Sequence, residues 1–216
     1  MTLMKYKILG VYTGKISKLP NDFVTAITKE PRDVIKVSKD WIEGNEINNL
    51  VHHGGDMRVI HHYSMANYNY LKEQFPDIAD RFLPGTYGEN IVTEELTERD
   101  LNIGDIYQLG TAKVQLTVSR RPCVTINHAY QDGRVQKEIV VSGRSGWYYR
   151  VLEEGEIRPG DYLEFLERPY PDLPLYKLHI QGYGEERFAD KEYLRRCLET
   201  GLMDKGWKPK IEAALN

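Results

Sequence analysis

Ile103-Gly-Asp-Ile-Tyr-Gln-Leu-Gly-Thr-Ala-Lys-Val-Gln-Leu-Thr-Val-Ser-Arg-Arg-Pro-Cys123 reads as a tight turn, two strands and a strand end that carries a thiol. Gly-Asp supplies the turn, and the Val, Ile and Tyr enrichment of Asp105–Leu109 and Ala112–Val118 predicts β-structure. The same device recurs at Pro159-Gly-Asp-Tyr-Leu163, where it opens a strand over Asp161–Leu166. Working outward, further short β-like runs cover Tyr6–Tyr12, Val34–Val37, Arg58–Tyr63 and Glu89–Thr93, with Gly, Asn and Asp between them. Helices interrupt in two places. Tyr68, Leu71 and Phe75 are spaced three and four apart and Pro76 stops that helix, while a second is expected over Val135–Val141. Many short strands without strict β-α alternation point to a mainly β, mainly antiparallel barrel with a few helices.

The pattern changes at Pro169-Tyr-Pro-Asp-Leu-Pro174, a stiff linker with three prolines in six residues. Beyond it a short helix is expected around Leu175–Ile180. A second places Leu194, Cys197 and Leu198 on one face, with Asp190 as N-cap and Gly201 as the stop. Trp207, Ile211 and Leu215 mark the stripe of a last helix. The expected division is a barrel over 1–168 and a three-helix appendage over 169–216, too small to be stable undocked. Cys197 is then a structural core thiol.

Composition excludes more than it identifies. The chain has 216 residues, 41% hydrophobic and 28% charged, which rules out disorder, collagen and membrane-span classes. A net charge of −3 gives no general electrostatic reason to bind a nucleic-acid polymer or a membrane, so any anion site must be local. With two cysteines, no Cys-x-x-Cys and no apolar leader after Met1, a cytoplasmic, untargeted protein is expected.

Three constellations carry candidate chemistry. In Ser119-Arg-Arg-Pro-Cys123, Arg120 and Arg121 stand beside a thiol at a strand end, and neighbouring guanidinium groups favour the thiolate, the form that attacks or ligates soft metals. In Val51-His-His-Gly-Gly-Asp-Met-Arg58, Gly54 and Gly55 can bring backbone N–H groups close to an anion, with His53 and Arg58 alongside. Neither His52-His53 nor His61-His62 has the i, i+4 spacing of a helical zinc pair. In Gly85-Thr-Tyr-Gly-Glu-Asn90 a Gly-rich turn offers Glu89 and Asn90 at the start of a strand, and Gly143-Arg-Ser-Gly-Trp147 is a comparable loop carrying Arg144. The glycine patterns of nucleotide-binding loops and of the α/β-hydrolase nucleophile elbow do not occur.

Taken together, His-His-Gly-Gly, Tyr-Gly-Glu-Asn, Ile-Gly-Asp-Ile and Arg-Arg-Pro-Cys, in this order, resemble the MOSC domain, in its YiiM-like branch with a C-terminal three-helix segment. The resemblance implies a barrel whose pocket takes the molybdenum cofactor, a pterin dithiolene with a phosphate tail, and makes Cys123 the metal ligand. It implies that Arg58, Arg120 and Arg121 contact anionic groups and that His53, Gly54, Gly55 and Asn90 shape the cofactor pocket. Cys123, Arg120 and Arg58 are the implied catalytic set. At Arg58 relatives often carry Lys; an Arg keeps the charge and grips an anion bidentately, but it does not transfer a proton. The implied activity is reduction of N-hydroxylated small molecules, such as hydroxylaminopurine-type base analogues, to amines, with electrons from a separate donor protein. A carrier of the cofactor, a persulfide carrier using Cys123, and a non-catalytic binder of a phosphorylated small molecule remain open, as does the oligomeric state.

Overall fold

The computed structural model describes residues 4–216, and at residues 51 and 52 the backbone only. In chain order the strands are β1 (Lys5–Lys7), β2 (Gly10–Thr13), β3 (Ser17–Lys18), β4 (Val24–Thr25), β5 (Glu30–Arg32), β6 (Ile35–Val37), β7 (Ile60–Ser64), β8 (Ile91–Thr93), β9 (Ile106–Leu109), β10 (Ala112–Ser119), β11 (Trp147–Glu153), β12 (Gly155–Ile157) and β13 (Tyr162–Glu167). The α-helices are α1 (Leu50–His53), α2 (Met65–Gln74), α3 (Thr125–Tyr130), α4 (Gly133–Ser142), α5 (Leu175–Tyr183), α6 (Lys191–Glu199) and α7 (Lys208–Leu215), with 3₁₀ turns at Asp56–Arg58 and Pro76–Arg81.

Both Gly-Asp segments are turns of one design. Asp105 N–H donates to Asn102 O and Asp161 N–H to Arg158 O, each at 3.1 Å, and the glycines at the third positions, Gly104 and Gly160, have φ of +87° and +94°. A type II turn requires that positive φ, which glycine adopts without steric cost. Each Asp side chain then accepts the N–H three residues back, Asn102 at 2.9 Å and Arg158 at 2.7 Å. These turns launch β9 and β13, which pair with each other, and β9 pairs with β10 on its other side.

Nine strands form one sheet in the order β1-β13-β9-β10-β11-β7-β8-β2-β5, antiparallel except for the parallel β7–β8 pair. That pair requires a crossover, which α2 supplies. The run Tyr6–Tyr12, expected as one strand, is two. Ile8 N–H bonds Asp161 O beside β13 while Leu9 N–H bonds Val92 O in β8, both at 2.8 Å. Consecutive residues thus tie distant parts of the strand order together and curl the sheet into a partial barrel. The expected mainly β architecture is present, as a curled mixed sheet with several helices.

The helix stopped by Pro76 spans Met65–Gln74, capped by Ser64, and α4 covers the second expected helix. The linker is pinned to the first Gly-Asp turn: Asn102 Nδ2 donates to Tyr170 O and Pro171 O at 2.9 and 3.0 Å, and Ile103 N–H donates to Leu173 O. Beyond it α5, α6 and α7 share one continuous apolar core with the sheet, in which Leu178, Leu194, Cys197 and Ile211 join Val114, Leu116 and Trp147. Cys197 is fully buried, and burial pushes its thiol up to about 12. Asp190 caps α6 by accepting from Tyr193 N–H at 3.0 Å. Among the described residues no helix is long and apolar enough to cross a membrane.

Candidate functional site

The His-His-Gly-Gly segment folds as α1 followed by a 3₁₀ turn that ends on Arg58. Gly55, with φ +122°, lets the chain reverse between them, which sets His53 at the surface and Arg58 in the interior. The Arg58 guanidinium does not stand alone: its Nε donates to Asp204, and the two side chains are 5% and 3% exposed. Burial opposes the Arg58 charge, but the bond to Asp204 prevails and raises its pKa. Asp204 also accepts the N–H groups of Gly206 and Trp207, at 2.7 and 2.8 Å, ahead of α7. A side chain at Gly206 would run into the guanidinium groups of Arg58 and Arg121, so the C-terminal segment forms the backing of both.

β7 then alternates as a strand must. His61 turns toward a cavity and lies 4.9 Å from the Tyr148 ring, while His62 turns into the core between Thr93 Oγ1 at 2.8 Å and the Tyr149 hydroxyl at 3.2 Å. Burial holds both imidazoles neutral, His61 well below its ordinary value and His62 at about 3. From Tyr-Gly-Glu-Asn, Asn90 braces the wall: its Oδ1 accepts His61 N–H and its Nδ2 donates to Tyr12 O, each at 3.1 Å. Glu89 is fully buried, and its Oε1 accepts Gly85 N–H at 2.5 Å and the Tyr68 hydroxyl at 2.7 Å. Burial raises its pKa.

β10 ends at Ser119, and Arg120-Arg-Pro-Cys123 runs as irregular chain into α3, so the thiol stands four residues past the strand rather than on it. Arg120 is buried, donates to Tyr87 O and lies with its guanidinium carbon 4.1 Å from the Tyr87 ring centroid. Burial opposes its charge, yet Tyr87, Tyr148 and Cys123 outweigh that and keep it protonated. Arg121 is half-buried, and its Nε has no hydrogen-bond partner among the described residues.

These pieces enclose two adjoining cavities of about 220 and 290 Å³ that share His53, Arg58, Cys123, Thr125 and Tyr148. Together they fall in the ~300–1,000 Å³ range of small-molecule sites. The first lobe holds Lys29, His61, Asn90 and Arg120; the second holds Arg121 and Tyr183. Cys123 therefore stands where the lobes meet, within a ring of cationic side chains. Gly54 and Gly55 are on the wall of neither lobe and instead position their neighbours. Among the described residues no three His, Cys, Asp or Glu side chains converge as a metal cage. Sequence reasoning missed Lys29, Tyr148 and Asp204. Only Asp204 left a readable trace, an acidic residue just ahead of the last helix.

The MOSC domain family matches residues 49–164. The chain is 32% identical over 205 residues to Protein YiiM of Escherichia coli (strain K12), covering 94% of this chain and 90% of that one. It is also 32% identical over 201 residues, 91% of its own length, to a protein named Reductase from Gibberella moniliformis, of which it spans 35%. The crystal structure of YiiM from Geobacillus stearothermophilus superposes with a TM-score of 0.80 at 27% identity, covering 98% of this chain and all of that one. Over its fold, its motifs and the cleft they build, the chain belongs to the MOSC domain family.

Proposed function

We propose that the cleft binds the molybdenum cofactor with Cys123 as the protein ligand to the metal, and that the protein reduces N-hydroxylated small molecules to amines. The observation that carries this reading is the position of the thiol: Cys123 is the cysteine at the junction of the two lobes, while Cys197 is sealed in the core. A metal that arrives with dithiolene sulfurs needs one further soft donor rather than a cage, and a thiolate is that donor. The cationic wall suits the oxo and phosphate oxygens such a group brings, and Arg121 on that wall has an Nε donor with no acceptor among the described residues. When bound, the cofactor supplies the two-electron chemistry.

This chain's residues do the rest. Arg120, fixed by Tyr87, and Arg58, fixed by Asp204, hold anionic oxygens at preset positions, so little is spent on ordering them. Tyr148 and Phe23 offer aromatic surface in the first lobe for a planar base analogue. A separate protein delivers the electrons. The name of the Gibberella relative supports a reductase, although this chain spans about a third of that protein.

The test is expression in a host that makes the cofactor, followed by molybdenum analysis and oxidised-pterin fluorescence of wild type and Cys123→Ser. Cys123 is half-buried in irregular chain, so serine there spares the core. Near-stoichiometric molybdenum in wild type that falls at least tenfold in the variant is expected; equal contents would sink the ligand assignment. Loaded protein that fails to reduce a hydroxylamino base with reduced viologen would leave cofactor binding standing and remove the reductase reading.

A further inference from the structure

We propose that Lys29 is the proton donor of this cleft, passing a proton from its side-chain nitrogen to the ligand bound beside Cys123. The inference rests on the reductase reading above. Lys29 lies between β4 and β5, is 9% exposed, and lines the first lobe with Cys123 and Arg120. Its backbone is clamped: Lys29 N–H donates to Gly85 O at 2.7 Å, and a side chain at Gly85 would strike the Lys29 carbonyl. Its stem runs so close to Gly14 that a Cβ there would lie 2.9 Å from Lys29 Cγ. No described residue lies within hydrogen-bond or ion-pair distance of the nitrogen at the end of this fixed stem, which opens on the first lobe rather than being sealed in the core. A lysine this buried and unpartnered is unusual, because withdrawing an ammonium from water is costly unless a partner replaces the lost hydration.

The surroundings set its proton affinity. Burial lowers the Lys29 pKa from 10.5 to about 7, with Glu89 opposing and Arg120 adding to the fall. His61 faces the same space from β7, and Glu46, Arg58 and Tyr148 stand on the shared wall. Near neutral pH Lys29 is thus divided between amine and ammonium, the condition in which a group both gives and regains a proton readily. The arginines on the wall do not release protons, and His61 is held neutral by burial. The overall reaction is R–NH–OH + 2 e⁻ + 2 H⁺ → R–NH₂ + H₂O. The N–O bond breaks, and the two electrons come from an external reductant such as reduced viologen. Lys29 gives one proton to the departing hydroxyl, solvent supplies the other, and the Lys29 amine is then reprotonated from water.

Two readouts test this. In cofactor-free wild type, acetic anhydride labelling across pH 5.5–11, mapped by mass spectrometry, should modify Lys29 with a midpoint near 7, well below the surface lysines. In the loaded protein, Lys29→Met should keep its molybdenum, lose about 10²-fold in kcat and lose the pH 7 inflection, with Lys29→Arg failing to rescue. A labelling midpoint near 10, activity within twofold of wild type, or molybdenum lost from Lys29→Met would each overturn the proposal. If wild type holds no molybdenum the cofactor reading fails instead, and the labelling midpoint alone decides Lys29.

Discussion

Asp204 does two things with one carboxylate, accepting backbone N–H groups ahead of α7 and pairing with Arg58 at the wall of the cleft. Because both partners are buried, removing one strands the other. Asp204→Ala should therefore lower the unfolding free energy by about 3–5 kcal/mol in urea titrations at pH 7, with the lost turn hydrogen bonds to Gly206 and Trp207 included. A loss under about 1 kcal/mol would mean the pair behaves as a screened surface contact. At this scale the sequence was partly legible. Cys123, Arg58, Arg120, Arg121 and His53 stand on the cleft where their motifs drew attention, because short motifs bring their own backbone geometry. Lys29 and Asp204 lie in unremarkable stretches 175 positions apart in sequence and reach the site only through folding.

Among the elements, the two Gly-Asp turns offer a controlled comparison. Both glycines hold a positive φ, but a Cβ at Gly160 would meet nothing within 4 Å, whereas one at Gly104 would lie 2.5 Å from the Tyr170 ring. Gly160→Ala should cost about 1–2 kcal/mol, the price of left-handed backbone alone. Gly104→Ala should cost clearly more, because the linker stitched to that turn must shift as well; equal losses by chemical denaturation would show that the linker yields freely. The strands these turns launch were legible because turn chemistry is local. β11 was overlooked although Trp147, Tyr149 and Val151 alternate inward, since Gly143-Arg-Ser-Gly-Trp147 reads as loop and masks its start. The break in Tyr6–Tyr12 was not legible: the switch of partner at Ile8 and Leu9 depends on where β13 and β8 lie.

For the molecule as a whole, burial of neutral histidines contributes to the acid limb of stability, alongside carboxylates such as Asp77, Asp132 and Asp190 whose ion pairs and hydrogen bonds lower their pKa values. The His62 pKa drops from 6.5 to about 3 through burial, so as pH falls below 6.5 the unfolded chain takes up its proton first and stability is lost. At pH 4 this amounts to about 3 kcal/mol. His61 acts in the same direction, while Glu89 and Glu98, whose pKa values burial raises, act in the opposite one. His62→Gln should be less stable than wild type at pH 7 yet lose about 3 kcal/mol less between pH 7 and pH 4; parallel curves in urea titrations would show that His62 is hydrated. By itself the sequence determined the mainly β class, the Gly-Asp turns, the C-terminal helices with the Asp190 cap on α6, and the thiol at Cys123, because alternation, capping and turn geometry act over a few residues. Only the tertiary structure decided the curl of the sheet, the Arg58–Asp204 pair and the meeting of Lys29 with Cys123 in one cleft. Those depend on contacts between segments far apart in the chain, which no local pattern encodes.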